Sequence, residues 1–395
     1  MQVARSDAAQ EGVHDLIVVG AGPVGATLAL ALADADLDIE VLDARPAGEP
    51  ARGDRSLALS HGARLIYERL GLWTGLAATP DAVTPITNID ISQAEGFGMA
   101  RLSATLHDLP ALGYVVSYRA LQAVLDAALA RAGIAVRRGA VARDVRGLPE
   151  HASVTVEGDA EPMRARLVAV ADGSGTSVNG IRREHRDYGQ VALTAKVWMD
   201  APHGGVAFER FTVDGPMALL PEGDHYGAVW TRPPQSAARI QALTDDEFLR
   251  ELAQQFGTRL RGFRRVGDRR SFPLALQFAR PTIAARVAVV GNAAQSLHPV
   301  AGQGFNLGLR DAYEFASVVI DTPRDALGTR AMLDRYARGR TADRFAGIAF
   351  THGLVHLFGT GLPLIRWPRG MALTLLDAFP PAKRAFTRAM LFGVG

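Results

Sequence analysis

The sequence VAVVGNAAQSLHPVAGQGFNLGLRDA, residues 287–312, contains the signals of a strand, a glycine-rich turn and a helix in direct succession. The apolar run Val287–Val290 predicts a short buried strand, because branched apolar residues bounded by turn residues are typical of parallel sheets. After a His-Pro bend, Gly302-Gln303-Gly304 opens an amphipathic segment that predicts a helix. The stretch therefore predicts one strand–turn–helix unit of an α/β fold.

A second unit of the same kind lies near the N-terminus, in DLIVVGAGPVGATLALALA at residues 15–33. Gly20 permits a tight turn, Gly22 lets the backbone approach a pyrophosphate, and Gly25 lets helix and strand pack closely. The helix N-terminus offers N–H groups and a partial positive charge to phosphate. Asp43 ends the second predicted parallel strand, where its carboxylate can accept hydrogen bonds from a ribose. The pattern predicts a dinucleotide site without distinguishing NAD from FAD, and a tight turn without a ligand is the alternative.

Composition limits the remaining possibilities. A chain of 395 residues favours two joined domains over one compact core. The absence of cysteine excludes disulfides, iron–sulfur ligation and thiol catalysis. The net charge is +2 without an extended basic run, which gives no support for nucleic-acid binding. Residues 1–14 lack the apolar centre of a signal peptide, and no apolar run reaches the ~18 residues of a spanning helix, so we expect a cytoplasmic protein.

Between the two glycine units the hydrophobic periodicity changes. Residues 57–70 and 118–131 predict helices, and a short β excursion is expected within 83–105. Period-two alternation from 185 to 276 predicts a sheet interrupted by a single helix, Asp245–Phe256. The predicted fold class is α/β, with a Rossmann-like dinucleotide domain, an inserted β-rich substrate domain and a helical C-terminus. The predicted boundaries are 1–82, 106–184 and 277–344 for the dinucleotide domain, 83–105 and 185–276 for the substrate domain, and 345–395 for the C-terminal segment.

Several separated segments together form a specific pattern. They are GAGPVG at 20–25 with Asp43-Ala44-Arg45, DRSLALSHGA at 54–63, SYRALQAVL at 117–125, VAVADGSGTSV at 168–178, ERFTVDGPMALLP at 209–221 and GNAAQSLHPVAGQGFNLGLRDA at 291–312. The pattern resembles the flavoprotein aromatic hydroxylases related to p-hydroxybenzoate hydroxylase. Within them it is most similar to the ubiquinone-biosynthesis branch, and most specifically to the 2-polyprenyl-6-methoxyphenol hydroxylases. The resemblance implies that the dinucleotide is FAD, bound by a domain of the glutathione-reductase type.

The resemblance also implies roles for individual residues. Arg119 and Gln122, on the outward side of their predicted helix, look like the family's contacts to the FAD pyrophosphate and ribityl region. Asp172 and Gly173 resemble the family's Asp-Gly motif, whose aspartate supports flavin and nicotinamide binding. A solvated helix arginine and an ordinary Asp-Gly turn are the alternatives. The predicted cofactor-binding set is Gly20, Gly22, Pro23, Val24, Gly25, Asp43, Ala44, Arg45, Arg55, Arg119, Gln122, Asp172, Gly173, Gly291, Asn292, Gly302, Gln303, Gly304, Phe305 and Asn306.

Two positions of the opening stretch depart from the broader hydroxylase pattern. Asn292 stands where most of the superfamily has aspartate, and Gln295 stands where many relatives have histidine. Both variants resemble the ubiquinone branch. An uncharged asparagine is expected to bind a ribityl hydroxyl more weakly than a carboxylate does.

The His-Pro bend carries the two predicted catalytic residues. Pro299 resembles the proline that lies beside the flavin in this family. His298 is a candidate base, and a structural hydrogen-bonding role is the alternative. Gly302 and Gly304 allow a flat isoalloxazine ring to lie against the backbone at a helix N-terminus, while a tight helix entry alone is the alternative.

The resemblance implies an NAD(P)H- and FAD-dependent monooxygenase. It would hydroxylate the aromatic ring of a polyprenylated phenol with molecular oxygen in ubiquinone biosynthesis, through a flavin C4a-hydroperoxide and without a metal. The alternatives are a sister hydroxylase that acts on another ring carbon and a non-catalytic flavin-binding subunit of a quinone-biosynthesis complex. The FAD motifs do not distinguish ring positions, because regiochemistry depends on the shape of the substrate pocket.

The C-terminal segment, residues 345–395, is apolar and basic, with one acidic residue, Asp377. A basic helical segment rich in leucine and tryptophan predicts peripheral association with the inner membrane. A cap on the dinucleotide domain, or a face that binds a partner enzyme, is the alternative. The basic residues are Arg366, Arg369, Lys383, Arg384 and Arg388.

Overall fold

The computed structural model describes residues 12–50, 55–94, 96–173, 175–359 and 363–394. The predictions for residues 1–11, Asp54, Ser174 and the side chain of Arg366 lie outside the described residues. The strands are β1 (Val13–Val19), β2 (Ile39–Asp43), β3 (Ser56–Ser60), β4 (Val83–Ile86), β5 (Asn88–Gln93), β6 (Met99–Ser103), β7 (Gly113–Ser117), β8 (Ala135–Arg138), β9 (Ala142–Gly147), β10 (Ala152–Val156), β11 (Met163–Val170), β12 (Ser177–Val178), β13 (Arg182–Met199), β14 (Val206–Thr212), β15 (Gly215–Glu222), β16 (His225–Arg232), β17 (Phe263–Val266), β18 (Arg270–Arg280), β19 (Ile283–Ala284), β20 (Val287–Val289) and β21 (Gln295–Ser296). The helices are α1 (Pro23–Ala31), α2 (His61–Arg69), α3 (Trp73–Ala77), α4 (Tyr118–Arg131), α5 (Pro234–Gln241), α6 (Asp245–Phe256), α7 (Gln303–Ile320), α8 (Arg330–Gly359), α9 (Pro363–Ala378) and α10 (Pro380–Phe392).

A parallel sheet forms the centre of the dinucleotide half. Its parallel strands follow the order β8-β2-β1-β11-β20, and the antiparallel strands β9 and β10 extend it beyond β11. Both faces are covered, because Leu16 and Val18 pack into one apolar cluster and Ile17 and Val19 pack into another. Helices α1, α4 and α7 belong to the first of these faces. The predicted α/β fold class is confirmed.

A second sheet has the order β21-β18-β13-β16-β15-β14-β5-β6, with β17 paired to β13. Neighbouring strands are antiparallel except β14 and β5, which run parallel. Helices α5 and α6 cover one face, where Phe248 packs against the buried indole of Trp230. The expectation of a single helix in this region is wrong, since Pro234–Gln241 forms α5 ahead of α6.

A small antiparallel sheet, β3-β7-β4, joins the two halves. The prediction of a continuous helix over 57–70 is wrong in its first turn. Residues 57–60 belong to β3, and α2 begins only at His61, where the hydroxyl of Ser60 accepts a hydrogen bond from the Ala63 N–H. The predicted domain boundaries stay a prediction, while β5 and β6 pair with the second sheet.

The C-terminal helices contact both halves. Helix α8 packs on α7 and reaches β14 and β15, α9 packs on β6, and α10 packs on α2. Among the described residues, no helix combines the length and apolar character needed to cross a membrane. The C-terminal segment therefore closes a space between the parallel sheet and the second sheet.

Candidate active site

The first glycine turn joins β1 to α1 and excludes side chains at two of its glycines. A Cβ on Gly20, whose φ is +103°, would lie 2.8 Å from the Cα of Asp172. A Cβ on Gly25 would lie 1.9 Å from the carbonyl oxygen of Gly20. Gly22 differs, because no described atom lies within 4 Å of the position that its Cβ would take. Since Gly22 is also the N-cap of α1, the helix N-terminus faces open space suited to phosphate.

That open space belongs to a cavity of about 340 Å³. Three of the predicted motifs meet in it: the first glycine turn, the end of β2 and the start of α4. Its lining consists of Ala21, Gly22, Asp43, Ala44, Arg45, Pro46, Tyr118 and Gln122. Residues far apart in the sequence are therefore gathered around one site large enough for part of a nucleotide.

Gln122 is buried, so the expectation that it lies on the outward side of its helix is wrong. Its Nε2 donates hydrogen bonds to the carbonyl oxygen of Ala21 and to Oδ1 of Asp126, both at 2.8 Å. Its Oε1 is buried and has no hydrogen-bond partner within the described part of the chain. A buried acceptor without a donor is costly, and a ligand hydroxyl or a water molecule would satisfy it.

Two charged residues that line this cavity, Asp43 and Arg45, belong to a network of charged side chains. Asp43 accepts a hydrogen bond from the backbone N–H of Arg45 (3.0 Å) and contacts the guanidinium of Arg138. Asp126 in turn accepts from the guanidinium groups of Arg45 and Arg138, each at 2.8 Å. The network fixes the carboxylate of Asp43 at the end of β2, next to the open helix terminus.

Two predicted FAD contacts lie at the surface. Arg119 is exposed and lines an adjoining cavity of about 270 Å³ together with Arg45 and Arg138. Arg55 is exposed, and its guanidinium lies 4.1 Å from the ring centroid of Tyr118. Both side chains are therefore available to an anion at the cavity mouth, and their roles stay a prediction.

The Asp-Gly motif follows β11, beside the first glycine turn. Oδ2 of Asp172 accepts hydrogen bonds from the backbone N–H and the hydroxyl of Thr176, both at 2.7 Å. Oδ1 of Asp172 is buried and unpartnered among the described residues. Gly173 has a φ of +91°, which suits glycine. One carboxylate oxygen thus fixes the loop, and the other is an acceptor left for a ligand.

The two glycine units contact each other directly. Gly291, with φ +61°, follows β20, and a Cβ there would lie 2.8 Å from Cγ1 of Val24. A Cβ on Gly308 of α7 would lie 3.0 Å from the Cα of Gly291. Asn292 is exposed at this turn. The carboxyl ends of β1, β11 and β20 therefore converge, which is where ligands bind in open α/β sheets.

Below the turn at Gly291 and Asn292 lies a buried polar network that the sequence did not predict. Oδ2 of Asp311 accepts from Nε2 of Gln295 (2.5 Å) and from the Gly291 N–H (3.3 Å). Oδ1 of Asp311 accepts from Nε of Arg340 (2.8 Å), and Nε of Arg344 donates to Oε1 of Gln295 (2.6 Å). The network ties α8 to the turn that carries Asn292.

His298 is buried and serves the loop around it. Its Nδ1 accepts a hydrogen bond from the backbone N–H of Val300 (3.1 Å), so the neutral ring carries its proton on Nε2. That Nε2 is buried and without a partner in the described residues, and the Tyr188 ring lies edge-on at 5.3 Å. Burial lowers the pKa of His298 to about 4. Pro299, next in sequence, is exposed and lines the apolar cavity described below.

The start of α7 is held against β3. Gly302 has a φ of +60°, and a Cβ there would lie 2.9 Å from the Cβ of Ala58. Oδ1 of Asn306 accepts from the Ser60 N–H (2.8 Å), and its Nδ2 donates to the carbonyl oxygens of Ala58 (3.0 Å) and Gly302 (2.8 Å). The amide of Asn306 thus fixes the helix entry. The first turn of α7 contains Gln303, Gly304, Phe305 and Asn306.

A cavity of about 280 Å³ begins at this helix entry and extends between the second sheet and the C-terminal helices. Pro299, Gly302 and Gln303 line one end, and Ile89, Phe211, Met217 and Leu220 belong to its sheet wall. The wall formed by the C-terminal helices was not predicted from the sequence, although its apolar residues recur at helical spacing. It consists of Phe350, Leu354, Leu357, Phe358, Ala372, Leu373, Leu376, Phe386, Met390 and Leu391, with Arg369.

Comparison with known proteins places the chain in a family. The sequence profile of the FAD binding domain family matches residues 14–346. The chain belongs to this FAD-binding family. The residues of the site also fit FAD, since the open N-terminus of α1 suits its phosphates, and the acceptors of Gln122 and Asp172, without partners among the described residues, suit its hydroxyls.

Relatives extend over nearly the whole chain. The ubiquinone hydroxylase UbiL of Rhodospirillum rubrum is 33% identical over 390 residues, covering 95% of this chain and 89% of the relative. The 3-demethoxyubiquinol 3-hydroxylase of Escherichia coli is 29% identical, covering 96% and 98% of the two chains. The crystal structure of p-nitrophenol 4-monooxygenase PnpA from Pseudomonas putida DLL-E4 superposes with a TM-score of 0.76 at 18% identity, covering 97% and 99%. The structural similarity to p-nitrophenol 4-monooxygenase supports the assignment of the fold.

Proposed function

We propose that this protein is an FAD- and NAD(P)H-dependent monooxygenase that hydroxylates the aromatic ring of a polyprenylated phenol in ubiquinone biosynthesis. The observation that carries the proposal is the cavity that starts at Pro299 and the N-terminus of α7 and continues between apolar walls. A phenol ring fits an apolar space that opens at the predicted flavin position. The relatives named as ubiquinone hydroxylases support this substrate class.

The cofactor end of the site is built from backbone and fixed charges. The open N-terminus of α1 at Gly22 would hold the pyrophosphate, and Asp43 and Gln122 would accept hydrogen bonds from its sugars. The N-terminus of α7, approached through Gly302, would face the flavin ring and favour negative charge on it. When bound and reduced by NAD(P)H, FAD would supply the electrons that activate molecular oxygen for ring hydroxylation. Asp172, whose Oδ1 has no partner among the described residues, would support the flavin and nicotinamide.

The protein groups around the phenol orient it and exclude water. The cavity walls are largely aliphatic and aromatic, so a bound ring replaces water along most of its surface. His298 keeps the bend before Pro299 in place. Because its Nδ1 already accepts the Val300 N–H, the neutral imidazole has no free lone pair for a substrate proton. We therefore favour the positioning role of His298 over the role of base.

The proposal includes two further partners, the inner membrane and a complex of quinone-biosynthesis enzymes. The polyprenyl tail of the substrate implies peripheral association with the inner membrane through residues 345–395 of an otherwise cytoplasmic protein. A quinone-biosynthesis complex would bring successive enzymes to the same lipid. Product analysis identifies the ring carbon that is hydroxylated and so distinguishes this enzyme from a sister hydroxylase that acts on another carbon.

The test uses the purified holoenzyme and a strain that lacks its quinone hydroxylase. We expect NAD(P)H and oxygen consumption that depends on added phenol, and a product one oxygen atom heavier in mass spectra of the rescued strain. The position of that oxygen identifies the ring carbon. A yellow protein that consumes no NAD(P)H with any prenylated phenol, yet restores quinone synthesis beside another hydroxylase, would instead be the non-catalytic subunit.

A further inference from the structure

Helix α9 exposes a continuous apolar stripe. Trp367, Met371 and Leu375 of α9 succeed each other at intervals of four residues, with exposed fractions of 68%, 54% and 61%. Phe379, the first residue after the helix, continues the series and is 58% exposed. Residues four apart lie on one side of a helix. Phe97, on the turn before β6, extends the stripe, because its ring centroid lies 4.9 Å from that of Trp367 and it is itself 42% exposed. Contiguous exposed apolar surface of this kind marks an interaction site.

The opposite side of α9 lines the substrate cavity. Leu373 is buried there, and Leu376 lies beside it. Two lining residues, Ala372 of α9 and Leu357 of α8, are exposed, which favours an opening of the cavity to the surface between these two helices. Ala372 directly follows Met371 of the stripe. The apolar surface and the mouth of the cavity are therefore continuous.

Helix α9 packs closely against its neighbours on the sides away from the stripe, which leaves the stripe exposed. A Cβ on Gly370 would lie 2.6 Å from the carbonyl oxygen of Phe97, so α9 and the turn before β6 touch backbone to backbone. Asp377 accepts hydrogen bonds from the Arg101 N–H (3.0 Å) and from Nζ of Lys383 (2.6 Å). These contacts use the faces of α9 away from the stripe. The exposure of the stripe is thus a fixed property of the fold.

The charge near the stripe favours an anionic surface. Asp377 is the one acidic residue in the sequence 345–395, and Lys383 and the Arg101 N–H already bind it. Arg384 and Arg388 are exposed on α10, which packs against α9. Basic residues beside an apolar helix face are typical of helices that lie in the headgroup region of anionic bilayers.

We propose that α9 docks its apolar stripe into an anionic lipid bilayer and that the mouth between α8 and α9 takes the phenol ring directly from the lipid. The polyprenyl tail then stays in the acyl region while the ring moves along an apolar surface toward Pro299. The choice of substrate rests on the proposed function, whereas the lipid contact of α9 does not. Entry from the bilayer avoids the transfer of a long hydrocarbon tail through water.

The first experiment measures flotation of the full-length holoenzyme with vesicles of phosphatidylcholine and phosphatidylglycerol in equal amounts. We expect wild-type protein to float, and the double variant Met371→Glu/Leu375→Glu to lose about tenfold or more of its vesicle affinity. Ile320→Glu, an exposed apolar residue on α7, is the matched control and should float like wild type. Equal flotation of the double variant and wild type would reject the lipid contact. A wild-type protein that does not float but sediments as a dimer, which the double variant dissociates, would assign the stripe to a second copy instead.

The second experiment separates docking from chemistry. We expect the double variant to lose turnover of a long-chain prenylated phenol in vesicles and to keep turnover of a short-chain phenol in solution, because neither side chain lines the cavity. Ala372→Trp should narrow the mouth, retain flotation and raise KM for the long-chain phenol about tenfold. An unchanged KM would reject entry between α8 and α9. If wild type turns over neither phenol, the proposed function fails, while flotation still tests the lipid contact.

Discussion

Side chains introduced at the glycines of the first turn would meet very different surroundings. Gly22 has a φ of −65° and open space at its Cβ position, so a larger residue there leaves the fold intact. We predict that Gly22→Glu yields a folded but colourless protein, because its carboxylate would occupy the phosphate position and repel the anion. The ratio of flavin to protein absorbance measures the effect.

Two other glycines provide controls for this prediction. Gly75→Glu adds the same charge at another open position and should leave the protein yellow. Gly25→Ala should lower the yield of folded protein itself, since its Cβ would collide with the backbone of Gly20. A Gly22→Glu protein with full flavin content would contradict the assignment of the phosphate site.

His298 gives a prediction about pH. Its pKa falls from 6.5 to about 4 on folding, because burial disfavours the charged ring. As the pH falls from 6.5 to 4, the unfolded chain binds a proton that the folded chain does not, so the stability present above pH 6.5 is progressively lost. The loss amounts to about 3 kcal/mol. His298→Asn, which keeps an acceptor for the Val300 N–H, should remove that part of the pH dependence in urea unfolding at pH 7 and pH 4. Identical pH dependence in variant and wild type would contradict the buried neutral imidazole.

At the scale of elements, α7 and α8 are joined by buried charges. Arg340 donates to Asp311 (2.8 Å) and to Asp343 (2.6 Å), and all three side chains are buried. Arg340→Met leaves two buried carboxylates without this partner, and we predict a loss of about 3–5 kcal/mol in the free energy of unfolding. Arg330→Met is the control, because its pair with Asp334 is exposed and is expected to contribute less than about 1 kcal/mol. Equal losses in the two variants would refute this account.

The elements that the sequence predicted well have local signals. Helix α4 runs from Tyr118 to Arg131 as expected, and α6 from Asp245 to Phe256, where Thr244 and Glu247 form a capping box. The residues 57–60 were predicted as the first turn of a helix although Leu57 and Leu59 are two residues apart, a spacing that suits one face of a strand, and they pair with β7. Helix α5 was missed although proline at a first helical position is a known start signal, present here as Pro234.

At the scale of the whole molecule, the proposed cofactor site joins segments that lie far apart in the chain. Gly22 and Asp43 lie in the first part of the sequence, and Gly291 and Gly302 lie far downstream. FAD should therefore stabilise the complete fold. At about one hundred times its Kd, FAD adds about 2.7 kcal/mol, and we predict a single thermal transition of the apoprotein that shifts upward by several degrees. Gly22→Glu should show no shift, and a shift confined to one of two transitions would contradict the joint site.

The sequence could predict the glycine turns of the proposed cofactor site but not the walls of the apolar cavity. Glycine turns and their neighbours have fixed spacing around phosphate, so Gly20, Gly22 and Gly25 carry their meaning locally. The cavity wall instead depends on how α8, α9 and α10 fold back over the second sheet. Apolar residues such as Leu354 and Leu391 are expected to be buried, but the sequence does not show which surface they pack against. The hydrogen bond between Gln295 and Asp311 could not be predicted either, because it depends on how α7 packs against the turn at Gly291.

The position of β20 has a consequence for how the protein is made. Val287–Val289 pair with Val168–Val170 of β11, so the second half of β11 lacks this neighbour until the ribosome has synthesised nearly all of the second sheet. An apolar edge without its neighbour invites wrong pairing with other nascent chains. Production of this protein is thus expected to depend on chaperones during translation, and its coenzyme can be captured fully only near the end of synthesis.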